Sequence, residues 1–187
     1  MMKEDSLALD TRRNIYDLIV SYPGLHEREI ARRLDISLST LDYHLHYMEK
    51  RGLIVARKDG RYTRYFAAKK VGTEDKKIIV LLRQKTPRQI VLYLLEHPGA
   101  IHKDICSAVD KSPSTVSFHL KKLVKAGVVE GISLGRKTAY EVVDEDAVIN
   151  TLITYRDTFV DDAVGSFIDT WTSLHPRPDE AAEKNEG

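Results

Sequence analysis

The sequence predicts a mainly α-helical α+β protein. It is read as two small domains, each a group of helices closed by a β-hairpin, followed by a long C-terminal helix. Three observations carry this reading. Residues 11–68 align without a gap on residues 86–143 at an offset of 75, with eighteen of the 58 positions identical. Within each copy, apolar residues recur at helical spacing and then give way to two β-prone runs around a glycine. After the second copy, Asp146 to about Leu174 keeps a helical period with an acidic remainder. Gapless self-similarity of this extent means one folded unit present twice.

The elements follow in order. In copy one, Asp10 or Thr11 can cap a helix running to about Val20, with Ile15, Leu18 and Ile19 on one face. Tyr22-Pro23-Gly24 breaks it, because proline disfavours helix at the preceding residue. Glu27 to Leu34 reads as a short second helix, and Asp35-Ile36-Ser37 as a tight turn. Ser37 or Ser39 caps a third helix, whose Leu41, Leu45 and Met48 fall at i, i+4 and i+7 before Gly52 ends it. Leu53 to Phe66, folded about Asp59-Gly60, is a hairpin. Copy two repeats the order: a helix opened by Thr86-Pro87, a break at His97-Pro98-Gly99, and a helix over His102–Val109. A third helix then runs from Ser112-Pro113-Ser114 to Gly127, and a hairpin folds about Leu134-Gly135.

This places a first domain at 1–70, a linking helix at 71–85 and a second domain at 86–143. A C-terminal helix at 144–175 and a disordered polar tail at 176–187 complete the chain. In the C-terminal helix, Val160, Val164, Phe167, Trp171 and Leu174 are spaced 4, 3, 4 and 3. That is a heptad seam suited to a second copy of the chain, hence a homodimer; packing back on its own domain is the competing reading.

Composition bounds the function. The longest apolar run, Ile78 to Leu82, is far too short to span a bilayer, and the N-terminus lacks a signal-peptide layout. One cysteine, Cys106, excludes an internal disulfide and a multi-thiolate metal site. A cytoplasmic location is expected, with no membrane association. The net charge of +1 conceals a division: residues 1–68 carry +2, residues 69–143 carry +7, and residues 144–187 carry −8. A basic body points to an anionic partner, of which nucleic acid is the commonest.

Helix, helix, tight turn, helix and hairpin make a winged helix-turn-helix, here twice. With Leu41, Leu45 and Met48 inward, Ser39, Thr40, Tyr43 and Lys50 face outward. With Val116, Leu120 and Leu123 inward, Ser114, Thr115, Phe118, Lys121, Lys122 and Lys125 lie on or near the outer side. A DNA-reading helix needs this division: an apolar face to hold it, and short donors and cations on the other to reach bases and phosphates. Helix capping is the competing role for the serines and threonines. Arg61 and Arg136 follow the hairpin glycines, flanked by Arg64 and Lys137, and suit phosphate or minor-groove contact. The strand before the wing carries Arg57 and Lys58 in copy one, but Ile132 and Ser133 in copy two.

The segments Ile36 to Ile54 and Ser112 to Val129 resemble the recognition-helix signature of ArsR-type and related winged-helix transcriptional regulators. Copy two lies closer to it, since copy one has Asp42 and Tyr47 where small or basic residues stand in copy two. The tandem arrangement is similar to archaeal regulators with two winged helices in one chain. The resemblance implies double-stranded DNA as partner, with two modules reading half-sites roughly 10 bp apart. His44 and His119 read as buried, hydrogen-bonded anchors rather than as ligands. No metal-ligand spacing, phosphate loop or nucleophile motif is present, so neither cofactor nor enzymatic activity is expected. The alternative is a winged-helix protein-interaction module or chromosome-organisation subunit with a protein partner.

Overall fold

The computed structural model describes residues 2–159 and 162–174. The chain divides into two compact units, with the boundary between Arg88 and Gln89. In the first, α1 (Met2–Ser21) leads to β1 (Leu25–His26), α2 (Glu27–Leu34) and α3 (Leu38–Lys50). The hairpin β2 (Ile54–Asp59) and β3 (Tyr62–Ala67) follows, then α4 (Thr73–Leu82). Helix α5 (Lys85–Glu96) carries the chain across the boundary. The second unit continues with β4 (Ala100–Ile101), α6 (His102–Val109), α7 (Pro113–Lys125), β5 (Val129–Leu134) and β6 (Lys137–Val142). It ends in α8 (Glu145–Thr154), a 3-10 turn (Arg156–Thr158) and α9 (Asp162–Leu174).

The repeat is kept down to strand register. In the first unit the sheet order is β1-β3-β2, with Leu25 opposite Tyr65. In the second it is β4-β6-β5, with Ala100 opposite Tyr140, the same pair shifted by 75 residues. The turn between second and third helices is also the same. Asp35 (φ 51°) and Asp110 (φ 50°) both adopt the left-handed conformation, which aspartate tolerates better than bulkier residues. Ser37 and Ser112 then cap α3 and α7. The wing turns consist of Gly60-Arg61 and Gly135-Arg136, one residue beyond the pairs the sequence suggested. Asp59 and Leu134 are instead the last strand residues, opposite Tyr62 and Lys137.

The third helix of each unit is the centre of its core. Leu41, Leu45 and Met48 are buried with Ile15, Ile19, Leu25, Ile30 and Ile54, each such side chain contributing roughly 1.5–3 kcal/mol of burial. In the second unit Val116, Leu120 and Leu123 are buried in the same way. The apolar run Ile78 to Leu82 belongs to α4, where Ile79 and Leu82 are fully buried. Helix α4 packs on the first unit, and Arg83 just beyond it donates to both Glu29 carboxylate oxygens at 2.9 and 2.8 Å.

Two helices differ from expectation. Helix α1 begins near Met2 rather than at Asp10, because Lys3 to Leu9 contains good helix formers and no breaker. The long C-terminal helix is two helices. The chain leaves α8 at Tyr155, passes through the 3-10 turn and is extended at Phe159 (φ −99°, ψ 96°). The run Thr154-Tyr155 to Thr158-Phe159 is rich in β-branched and aromatic residues with weak helix preference. Thr158 and Phe159 are buried, which turns the chain inward. Val164 and Phe167 of the expected seam are buried too, whereas Trp171 is half-buried and Leu174 exposed. Val160 and the tail 176–187 lie outside the described residues.

Gly24 and Gly99 hold equivalent places and both have positive φ, 83° and 81°. A Cβ at Gly24 would meet Ile79 Cγ2 and Arg83 Cδ, each at 3.2 Å, whereas at Gly99 nothing lies within 4 Å. Gly24→Ala and Gly99→Ala should therefore share a conformational cost of about 1–2 kcal/mol. Gly24→Ala should add the cost of displacing α4. In calorimetric unfolding, Gly24→Ala is expected to lower the transition of its unit clearly more than Gly99→Ala lowers the other.

Candidate nucleic-acid interface

Directly opposite the buried face of α7 runs a stripe of Ser114, Phe118, Lys121 and Lys125 at i, i+4, i+7 and i+11, all exposed. Helix α3 has the same stripe as Ser39, Tyr43, His46 and Lys50, also exposed. The large rings are the conspicuous members, Tyr43 at 63% and Phe118 at 64% exposure. Beside the stripe, Lys122 is half-buried. Its counterpart Tyr47 is held within copy one, under the Arg12 guanidinium at 4.2 Å and that of Arg51 at 5.3 Å. Copy one thus uses an aromatic residue for internal cation–π packing where copy two keeps a cation.

The helix openings are built identically. Ser37 Oγ accepts from the Thr40 amide at 3.1 Å and lies 2.9 Å from Ser39 Oγ and 2.8 Å from Thr40 Oγ1. Ser112 makes the equivalent contacts with Thr115 N at 3.3 Å, Ser114 Oγ at 3.1 Å and Thr115 Oγ1 at 2.8 Å. The hydroxyls of Ser39, Thr40, Ser114 and Thr115 are therefore part of the cap, yet they stand at the helix mouth with hydrogen-bonding capacity left over. The positive end of the helix dipole lies there as well.

The wing tips carry exposed Arg61 and Arg136, and Lys137 is also exposed. Arg61 lies 5.2 Å from the Tyr62 ring, which stacks on His26 at 5.1 Å. Between each wing and the start of the second helix is an open cleft. In copy one it measures about 370 Å³ and includes His26, Arg28, Arg61 and Thr63. In copy two it measures about 480 Å³ and includes Lys103, Ser117, Arg136, Lys137 and Thr138. The cations and hydroxyls of the copy-two cleft suit a phosphate group, whereas the copy-one cleft also holds the Glu27 carboxylate. In the second unit His102 Nε2 is 2.8 Å from Ser117 Oγ, with Cys106 Sγ 3.5 Å from His102 Nδ1.

Arg64 does not belong to this surface. It is buried, paired with Asp59 through Nε at 2.8 Å and donating to the Gly24 carbonyl at 3.0 Å. The signal for this lies in the repeat: the matching residue is Ala139, a buried small side chain. The cap network and the Arg83–Glu29 pair have no sequence signal of their own. A capping serine is legible, but its neighbours' engagement depends on side-chain rotamers.

His44 is buried and His119 half-buried, but neither is the hydrogen-bonded anchor expected: each Nδ1 is buried without a hydrogen-bond partner, and the rings instead stand edge-on to Tyr43 at 5.2 Å and Phe118 at 5.1 Å. Burial lowers both pKa values from the ordinary 6.5, helped by Arg12 at His44 and by Lys122 at His119. Among the described residues no group of three or more His, Cys, Asp or Glu is placed to hold a metal. Among the same residues no helix is long and apolar enough to cross a membrane.

Residues 84–130 match the family described as bacterial regulatory protein, arsR family, and residues 9–79 match a family described as an N-terminal HTH domain. An uncharacterized HTH-type transcriptional regulator of Methanocaldococcus jannaschii is 34% identical over 140 residues, 75% of this chain. The match spans 35% of that relative, about a third of its length. Among solved structures, reduced HlyU from Vibrio cholerae is 18% identical, covering 44% of this chain and 86% of its own, with a TM-score of 0.40. The homodimeric winged helix-turn-helix DNA-binding domain from Mycobacterium bovis is 21% identical, covering 48% and 83%, also with a TM-score of 0.40. Each of the two units thus folds as a winged helix-turn-helix, and each half of the chain matches a helix-turn-helix family. The match to the arsR family lies in the second half and the match to the N-terminal HTH domain in the first.

The lowered histidine pKa values make a signed prediction. The native state holds fewer protons than the unfolded chain once pH falls below 6.5, so stability is complete above that pH and is lost as pH drops toward the folded pKa. Thermal unfolding followed from neutral to mildly acidic pH should show this loss, and His44→Gln with His119→Gln should reduce it, leaving the part due to His26, whose pKa burial also lowers.

Proposed function

We propose that this chain regulates transcription by binding double-stranded DNA, with α7 and the second wing as the stronger reader and α3 with the first wing as the weaker. The observation that carries this is the α7 stripe: hydroxyl, ring, lysine and lysine in one line, opposite a face committed to the core. A helix so divided can lie in a major groove without unpacking its domain, while Arg136 and Lys137 of the wing reach the flanking backbone. In the first module Tyr47 is engaged internally and Arg64 is buried, leaving Ser39, Thr40, Tyr43, Lys50 and Arg61 as its outward set. The role needs no cofactor and no catalytic step, and it is exercised in the cytoplasm.

A second reading, docking on a protein partner, draws support from the −8 charge of residues 144–187 and from the weaker cationic surface of the first module. A homodimer built on the C-terminal seam would have to expose Val164 and Phe167, which are buried at 0% and 6%. Among the described seam residues, Leu174 and the half-buried Trp171 are left to meet a second copy.

Fluorescence anisotropy with duplex DNA selected from a random pool separates the readings. Affinity should fall steeply between roughly 50 and 200 mM salt, with log K linear in log salt. Lys121→Glu with Lys122→Glu should abolish or severely weaken binding, and milder alanine replacements should reduce the salt slope by about one for each phosphate no longer neutralised. Binding indifferent to salt, or unaffected by the charge reversal, contradicts DNA recognition by this face. The selected sites also report whether two half-sites lie roughly 10 bp apart.

A further inference from the structure

We infer that Phe118 is a specificity-determining residue that reads the C5-methyl group of thymine in the major groove. The inference rests on the DNA-binding reading above and goes beyond it by naming the base feature recognised.

Phe118 stands at 64% exposure in the middle of α7, diametrically opposite the buried Val116, Leu120 and Leu123. Its neighbours along the exposed stripe are Ser114 one turn before it and Lys121 and Lys125 after it. The other large exposed apolar side chain of this helix, Val124, lies off that line, so the ring is not part of an apolar stripe. A single aromatic ring within a polar and cationic row is poorly suited to a protein interface, where aromatic anchors sit in desolvated apolar cores. It suits a polyanion that presents an isolated apolar group. On the major-groove edge of DNA that group is the thymine methyl; the remaining features there are hydrogen-bond donors and acceptors that a phenyl ring cannot satisfy.

The ring is also positioned. Its plane stands at 79° to that of His119, with centroids 5.1 Å apart, and His119 is lodged against the core with its Nδ1 buried. Copy one repeats the arrangement with Tyr43 and His44 at 5.2 Å and 70°. There the ring ends in a hydroxyl, which seeks a hydrogen-bonding partner, so methyl reading is assigned to the second module.

The test uses the full chain and a duplex selected from a random pool, prepared with thymine or with deoxyuridine, which lacks only the methyl group. Binding is measured by anisotropy for wild type, Phe118→Ala, Phe118→Leu and Lys121→Ala. For wild type, deoxyuridine at one position in the second module's half-site should weaken binding about three- to fivefold, the worth of one methyl group removed from water. Phe118→Ala should bind both duplexes equally, Phe118→Leu should keep part of the difference, and Lys121→Ala should weaken both equally. Equal wild-type affinity for the two duplexes overturns the inference, as does a difference that survives in Phe118→Ala. In either of those cases DNA binding itself stands. A chain that binds no duplex at all overturns both the inference and the function beneath it.

Discussion

Everything in each module depends on one helix serving two surfaces. Helices α3 and α7 have thirteen residues each, and each supplies the centre of a small apolar core. Domains of about 60 residues bury little surface to spare, so the inward face of that helix is not free to vary. Leu41, Leu45 and Met48 in one copy, and Val116, Leu120 and Leu123 in the other, are accordingly buried almost completely. The outward face is free of that constraint, and any chemistry placed on it inherits the rigidity of the core beneath. A rigid scaffold under the contacting side chains reduces the ordering cost of recognition.

The two copies use this arrangement unequally. Both retain the serine cap, the left-handed aspartate in the turn, the exposed ring and, behind it, a histidine with a buried Nδ1. The first unit engages several of its cations in internal contacts. Arg64 is neutralised by Asp59 beneath the wing, Arg12 and Arg51 lie on Tyr47, and Arg83 is clamped on Glu29. The burial of Arg64 stabilises only while Asp59 remains, because an uncompensated guanidinium inside a protein is costly. Copy two has Ala139 in the place of Arg64 and keeps Lys121, Lys122 and Lys125 along its third helix. The two modules thus divide their cations differently, the first engaging several in internal contacts and the second presenting Lys121 and Lys125 outward.

Most of the architecture is legible in the sequence because it is written in period and punctuation. Apolar spacing locates the inward faces of α3 and α7, and Pro23-Gly24, Pro98-Gly99, Gly52 and Gly127 locate the helix ends. The offset of 75 residues carries over into the strand register, which is the same in both sheets. The exposed side of the site is legible for the same reason: once the inward face is known, the outward face is its complement. What sequence does not supply is long-range. The break after Thr154 depends on Phe159 finding a buried position, and the heptad spacing of Val164 and Phe167 does not reveal which surface covers them. Arg64 alternates correctly for an exposed strand residue in a hairpin, but β3 is the central strand and its last four residues are all buried. Only the equivalence with Ala139 carries that information.

The central claim is that the face of α7 opposite its buried residues, with its wing, is the principal DNA-reading surface. Backbone amide NMR of the full chain, titrated with a selected duplex, tests it directly. The account predicts the largest shift changes over Ser114 to Lys125 and at Gly135-Arg136, with smaller changes over Ser39 to Lys50. Changes concentrated in α8 and α9, or larger in α3 than in α7, would contradict it.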